Sequence, residues 1–348
     1  MTNKVYIVHE YGAPSHFYAL EYLLASQRIQ SAYYELNIWG QVKKVVKTFS
    51  ARCFLRLCRN LGFLFSLPFL KPAKVVLGLA PYDRRLVRLR PWLKRHQVFY
   101  FTSYTCWDGT RQVHRSGPRT VSAWRDFLQH GVDHVFAVSE KTRKELIRNG
   151  LASPSRVTVV GHSYVARPMA PDTCKRNNLF VTAGALDSRK GIEELLACFA
   201  ARPDAHLTIL GKGPLERLVK EYEAACPNIH YAGYVSDQNE LFNVYRKHSF
   251  FVLNSKRTPD WEELFGMVLI EASACGLVPL APHHVGPCEI LQDGENGILF
   301  AEGNVSSAVD ACMGWSEEQY GRLRASAIKN GERFFVDNMA NRWVKVLE

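Results

Sequence analysis

Glu263-Leu-Phe-Gly-Met-Val-Leu-Ile-Glu271, running on into Ala-Ser-Ala-Cys-Gly276, decides the reading of this chain. It places two carboxylates around a Phe-Gly turn inside apolar sequence. A helix drawn across the whole span would bring both acids to one face, because residues two turns apart align. Gly276 is a helix stop. Buried carboxylates are costly unless hydrogen bonds reach them. Hydroxyl groups, such as those of a ribose or a sugar, supply such bonds.

On both sides of this stretch short apolar runs alternate with amphipathic segments. Downstream of residue 177 the spacing predicts strands at 179–183, 207–210, 229–232, 250–253, 278–281 and 297–299. Helices are predicted at 191–200, 215–225 and 238–247. Upstream it predicts strands at 4–8, 74–79, 97–101, 135–138 and 157–160. A helix capped by Ser15 runs to Leu24, and another capped by Ser139 ends before Gly150. Such alternation belongs to parallel sheets covered by helices, which bind ligands at the carboxyl ends of their strands. The polar stretch around Pro168 and Pro171 is the natural linker. The expected organisation is a first domain over 1–167, a linker over 168–176, a second domain over 177–331 and a terminal helix over 332–348 that crosses back.

The 348 residues exceed one ordinary core. No run of about 20 apolar residues is present, so a membrane-spanning helix is not expected. The start is a strand pattern without the apolar region of a secretory leader. Nine cysteines without a C-x-x-C pair argue for reduced thiols in a cytoplasm and against a zinc site. The net charge of +11 is concentrated in one place. Residues 36–95 hold fourteen Lys/Arg and one acid, Asp83 (14 − 1 = +13), so the rest of the chain is close to neutral. There Val42, Val45, Val46, Phe49, Cys53 and Leu57 recur at helical spacing among Lys43, Lys44, Lys47, Arg52, Arg56 and Arg59. The apolar run 62–70 follows. A basic amphipathic segment beside bulky apolar residues suits an anionic membrane surface, here through 42–95. A core helix with solvated charges is the plainer alternative. Nucleic acid is not an expected partner, because no recognition motif accompanies the charge.

In the second half, five pieces in order resemble the retaining GT-B glycosyltransferases (group 1, family 4-like), of the bacterial surface-polysaccharide type. They are Gly184-Ala-Leu-Asp-Ser-Arg-Lys-Gly191, Leu207-Thr-Ile-Leu-Gly-Lys-Gly-Pro214, Ile229-His-Tyr-Ala-Gly-Tyr-Val235, Glu263 to Gly276, and Gly286-Pro-Cys-Glu-Ile290 followed by Asp293-Gly-Glu-Asn-Gly297. The first half matches loosely, through its first strand-loop and Phe136-Ala-Val-Ser-Glu140. The resemblance implies an α/β, GT-B architecture: two Rossmann-like, doubly wound domains facing each other across a cleft, closing over the donor.

It further implies a nucleoside diphosphate sugar as donor, UDP-linked by the likeness of the closing loop, with no cofactor and no metal. Glu271 would receive the ribose hydroxyls and Glu263 those of the transferred sugar. Backbone N–H groups of Leu264, Phe265, Gly266 and Met267 would face the diphosphate, with Lys190 neutralising it. Gly184 belongs to the phosphate loop, Gly12 would let backbone approach the same phosphates, and Tyr234 and Val235 would face the base. Three departures stand out. Ala185 replaces the family's arginine, for which Arg189 is the substitute at hand. Asn254-Ser255 replaces Pro-Ser. The stretch 101–108 lacks the family histidine, leaving Thr105 or Asp108. His9, His16 and His114 lie in possible cleft loops, and Cys275 and Cys288 read as ordinary thiols.

The function so implied is transfer of a hexosyl group, with retention, to a hydroxyl of a lipid-linked glycan or lipopolysaccharide-type acceptor. It would take place at the inner face of the cell membrane, on a peripheral cytoplasmic protein. A nucleotide-sugar epimerase or hydrolase, or a non-catalytic partner subunit, is the alternative.

Overall fold

A computed structural model describes residues 4–108, 116–168, 176–259 and 261–348. Residue contacts divide it into two units. One comprises Met1–His162 with Met339–Glu348, the other Ser163–Asn338. Most of the expected linker, and His114, lie outside the described residues.

The first unit holds a parallel sheet of β1 (Lys4–His9), β2 (Gln30–Glu35), β3 (Lys74–Gly78), β4 (Gln97–Thr102), β5 (His134–Ala137) and β6 (Val157–Val159), ordered β2-β1-β3-β4-β5-β6. The inner strands are near-continuous apolar runs because helices cover both faces. Val75, Val76 and Leu77 of β3 are buried, as are Val98 to Phe101 of β4. The order reverses between β1 and β3, so the loops after these two strands flank the crevice where such sheets take ligands.

The last residues return to this unit. Trp343 packs on Phe17, Phe101 and Phe136, with ring centroids 6.1, 5.8 and 4.5 Å away. Lys74 Nζ donates to the carbonyls of Val346 and Leu347, both at 2.8 Å. This segment is a short helix, Val336–Ala340, followed by a 3₁₀ turn, Asn341–Val346.

The second unit holds β7 (Leu179–Ala185), β8 (His206–Lys212), β9 (Ile229–Gly233), β10 (Phe250–Val252), β11 (Val278–Pro282) and β12 (Ile298–Phe300). They are all parallel, in the order β12-β11-β10-β7-β8-β9. Its order reverses between β7 and β10. The doubly wound α/β expectation therefore holds for both units.

Several local expectations are corrected. Helix 18–26 is not capped by Ser15. A 3₁₀ turn, Pro14–Phe17, precedes it, and Ala13 at its start gives no side-chain cap. Ser139 does cap Glu140–Arg148, accepting from the Thr142 N–H at 3.2 Å. Edge strand β2 escaped the sequence reading because it pairs only on β1 and its side chains are half-buried or exposed, so it has no apolar run. The helix Pro118–His130 was likewise not anticipated. The basic segment is two helices, Ile38–Thr48 and Ala51–Ser66, rather than one. The break lies at Phe49, whose left-handed backbone (φ 46°) ends the first helix.

Truncating Trp343 to Ala removes the ring that joins the C-terminal residues to the first sheet. The expected cost is about 3–5 kcal/mol, read as a lower denaturation midpoint for the first unit with the second unit's transition unmoved. An unchanged midpoint would contradict this packing.

Candidate functional site

The second unit's switch point gathers the candidate residues onto two loops, one after β7 and one after β10. β7 ends at Gly184 and Ala185. Asp187 then caps the short turn Ser188–Lys190, accepting from the Lys190 N–H at 3.3 Å. After β10 come Asn254 and Ser255, both buried. The same loop carries Glu263 into the helix Met267–Ala274.

Here the expected helix across both glutamates is corrected. Gly266, at φ 96°, starts the helix, so Glu263 lies ahead of it on a loop. That loop is fixed from the other side. The Gly286 N–H donates to the Glu263 carbonyl at 2.9 Å, and the Glu263 N–H lies 3.4 Å from His284 Nδ1. His284 is fully buried, and its other ring nitrogen is 3.0 Å from Glu302. Gly286 must be glycine: a Cβ there would meet Phe265 backbone atoms at 2.3–2.4 Å.

The result is a compact polar cluster. Lys190 Nζ forms an ion pair with Glu263 Oε2, and Ser255 Oγ donates to the same oxygen at 3.0 Å. Both ends of the pair are largely shielded, at 22% and 13% side-chain exposure. Two partly buried charges tolerate this because each neutralises the other. Trp261 lies beneath the cations, with Lys190 Nζ at 5.0 Å and the Arg189 guanidinium at 5.4 Å from its ring centre. Arg189 itself is held by Asp187 at 2.6 Å and is half-exposed. The structure thus brings Lys190 and Glu263 together and engages Arg189 elsewhere.

Glu271 is in a different environment. It sits on the buried face of its helix at 7% exposure. Its Oε1 accepts from Gln238 Nε2 at 2.7 Å. Gln238 Oε1 in turn accepts from the backbone N–H groups of Val165 and Ala166 at 3.1 and 2.8 Å. These two donors fix which end of the amide faces Glu271. Burial pushes the Glu271 carboxyl up to about 7, against the opposing pull of the Gln238 hydrogen bond. Gln238 was not identified from sequence. It reads there as an ordinary first residue after the cap Asp237.

Past β9, Gly233 turns the chain and leaves Tyr234 exposed, with Lys212 Nζ 3.7 Å from its ring centre. Val235 is half-buried beside it. The first-turn N–H groups of the helix beyond Phe265 and Gly266 have no intrahelical acceptors, and they carry the positive end of the helix dipole. Leu264 and Phe265 precede that turn, and Phe265 is buried.

The remaining candidates lie in the first unit. Gly12 follows β1, beside the Glu35 carboxylate. His9 and His16 cluster with His162: the His9–His16 rings meet edge-on at 5.5 Å and the His16–His162 rings stack at 4.4 Å. Burial lowers all three, His16 to about 4. Asp108 accepts from the Cys106 thiol at 3.3 Å. Cys275 and Cys288 have thiol pKa values raised by burial, which disfavours a thiolate nucleophile. Among the described residues no cluster of three His, Cys, Asp or Glu has the geometry to hold a metal ion.

Comparison with known proteins agrees with this layout. Over its whole length the chain superposes on the sucrose-phosphate synthase of Thermosynechococcus elongatus (TM-score 0.72, 16% identity, 99% of this chain and 98% of that one). It also superposes on Anabaena HepE, solved in complex with UDP and glucose (TM-score 0.68, 14% identity, 99% of each chain). The protein therefore has the GT-B fold of glycosyltransferases. Its second half, residues 171–334, is a domain of the family described as glycosyl transferases group 1.

Among curated relatives, the gpi3 subunit of the Schizosaccharomyces pombe phosphatidylinositol N-acetylglucosaminyltransferase is 28% identical over 47% of this chain and 37% of its own length. A GDP-mannose-dependent alpha-mannosyltransferase of Corynebacterium glutamicum is 25% identical over 60% and 46%. The O-antigen biosynthesis glycosyltransferase WbnH of Escherichia coli is 28% identical over 64% and 61%. The matches thus span between 37% and 61% of these relatives.

The position of Glu271 predicts a pH-dependent stability. A carboxyl raised from 4.5 to about 7 holds its proton more tightly in the folded state. Its contribution is complete below pH 4.5 and lost as pH rises through 7. Glu271→Gln removes that loss. The ligand-free variant is expected to match the wild type at pH 4.5 and to exceed it at pH 8 by on the order of 1–3 kcal/mol, read from denaturant midpoints. A constant difference across this range would contradict the burial argument.

Proposed function

We propose that the protein transfers a hexosyl group from a nucleoside diphosphate sugar to an acceptor hydroxyl, with retention and without a metal. The observation that carries this reading is the arrangement at the second switch point. A shielded Lys190–Glu263 pair and a buried carboxylate, Glu271, flank one helix N-terminus. Each part suits one part of such a donor. Glu271 would take the ribose hydroxyls, whose donation stabilises its ionised form. The diphosphate would lie against the first-turn N–H groups around Gly266 and Met267, where anions are favoured. Lys190 would leave Glu263 for the phosphate charge, freeing Glu263 for sugar hydroxyls. Tyr234 and Val235 would border the base. A UDP donor is supported by HepE, a neighbour in fold solved with UDP.

The chemistry asked of the chain is positioning and charge stabilisation. The acceptor oxygen would form its bond to the anomeric carbon on the face from which the diphosphate departs. Its proton would pass to a departing phosphate oxygen, while Lys190 and the helix N-terminus hold the developing charge. No buried thiol or carboxylate in the cluster is presented as a covalent nucleophile.

For the acceptor we favour an anionic lipid-linked or lipopolysaccharide-type glycan at the inner membrane surface. The support is the first unit's helical pair, 38–48 and 51–66. Trp39 and Phe65 on these helices, and Phe49 and Phe69 in the turns that follow them, stand 75–90% exposed. No helix among the described residues is long and apolar enough to cross a membrane.

A donor screen decides. With a UDP-sugar and a lipid-linked glycan, UDP release is expected only when acceptor is present, and it persists in a chelator. Lys190→Ala or Glu263→Ala should lower kcat by about 10²-fold or more. Release without acceptor would indicate a hydrolase, and an altered free sugar nucleotide an epimerase. Failure to bind any nucleoside diphosphate would leave a non-catalytic role, towards which Ala185 leans.

A further inference from the structure

The first unit contains an apolar groove of about 610 Å³ that the sugar-transfer chemistry does not use. Leu36, Ile38, Leu61 and Leu64 line it, with Trp39, Phe65 and Trp92. Trp39 and Phe65 are 79% and 75% exposed. Its two acids, Glu10 and Asp83, share one guanidinium. Arg85 donates to Glu10 at 2.5 Å and to Asp83 at 2.9 Å, and Glu10 also accepts from the Ala80 N–H at 3.0 Å. The floor's acids are thus hydrogen-bonded internally; Arg88, which is exposed, also lines the groove, and the rest of the lining is mostly apolar and asks for an apolar occupant.

A second hollow, of about 290 Å³, adjoins the first, and Tyr11 and Asn37 line both. It has a different chemistry. Lys44 and Arg56 line it, together with Glu35, which lies 3.7 Å from Arg56. Lys43, Lys47, Arg52 and Arg59 are on the same two helices, and all four are exposed. One hollow is apolar and the next is cationic, and they meet at one edge, beside the loop that follows β1.

We propose that these joined hollows bind one molecule of an anionic amphiphile. Its hydrocarbon chain would lie in the groove and its phosphate against Lys44 and Arg56. Charge complementarity selects this occupant over a neutral lipid or an apolar peptide helix. The groove's volume falls within the roughly 300–1,000 Å³ of single-ligand sites, so one chain enters the protein instead of the protein merely resting on a bilayer. The proposal rests on the reading of the first unit as the acceptor side, and it specifies that the acceptor is held by its lipid end. The headgroup would then leave the cationic hollow past Tyr11 and Gly12, at the carboxyl end of β1.

Calorimetric titration of the full chain with dodecyl phosphate, kept below its critical micelle concentration, tests this. Saturable binding with one site per chain is expected. Burying a methylene is worth about fourfold in affinity, so octyl phosphate should bind at least tenfold more weakly, and inorganic phosphate more weakly still. Leu61→Trp fills the groove and Lys44→Glu reverses the headgroup charge. Each should weaken dodecyl phosphate at least tenfold while leaving a parallel UDP titration unchanged, which also shows that the variant is folded.

Equal affinity for inorganic phosphate would overturn the proposal, leaving an anion site only. Binding to anionic phosphatidylglycerol vesicles with no saturable binding of monomeric dodecyl phosphate would overturn it in favour of surface adsorption. Unaltered binding by Leu61→Trp would overturn it as well. The UDP titration separates this outcome from failure of the donor site.

Discussion

The buried carboxylate of Glu271 is the constraint on which the second unit's site depends. It stands on an almost wholly apolar helix, accepts one bond from Gln238, and is lifted to about 7 by burial. An apolar residue there would avoid the desolvation, at the cost of the acceptor that Gln238 Nε2 now has. In the proposed reading a ligand's hydroxyls would complete the carboxylate's hydrogen bonding. The Lys190–Glu263 pair obeys a related rule. Its charges are matched to each other in this structure, and in the proposed donor complex each would be matched to one part of a glycosyl diphosphate. Stability is given up at Glu271, and the unit recovers it in the dense apolar packing of its sheet.

The fold was legible where burial made the strands apolar on both faces. All six strands of the second unit are legible within a few residues: β10 and β11 are wholly buried runs and β7 and β8 largely so, while the edge strands β9 and β12, only partly buried, are short apolar runs bounded by glycine or polar turns. Edge strand β2 was missed for the converse reason. Ser31, Tyr33 and Tyr34 carry no apolar run, and only pairing with β1 makes them a strand. The basic hairpin was read as one helix because its periodicity passes through Phe49, where the left-handed backbone is invisible to a periodicity count.

The site was legible in its residue types and less so in its geometry. Glu263 and Glu271 were recognised as a pair, yet Gly266 separates their roles by starting the helix between them. Lys190 was recognisable from its loop. Its bond to Glu263 was not, since a contact across 73 residues leaves no local trace. Gln238, His284 and Gly286 act by holding other groups in place. Gln238 looks like any helix-start glutamine, and His284 like any histidine. Gly286 sat within a recognised motif, but its reason, contact with the Phe265 backbone, is tertiary. The first unit adds what the motifs do not cover: a cationic and an apolar hollow side by side, built from the stretch where the chain's charge is concentrated.

A crystal structure of the protein with UDP bound tests the central claim most directly. The account predicts the ribose hydroxyls within hydrogen-bonding distance of the Glu271 carboxylate. It also places the diphosphate against the first-turn N–H groups after Gly266, with Lys190 turned from Glu263 towards the phosphates. UDP bound away from Glu271, or a diphosphate that leaves the Lys190–Glu263 pair intact, would contradict it.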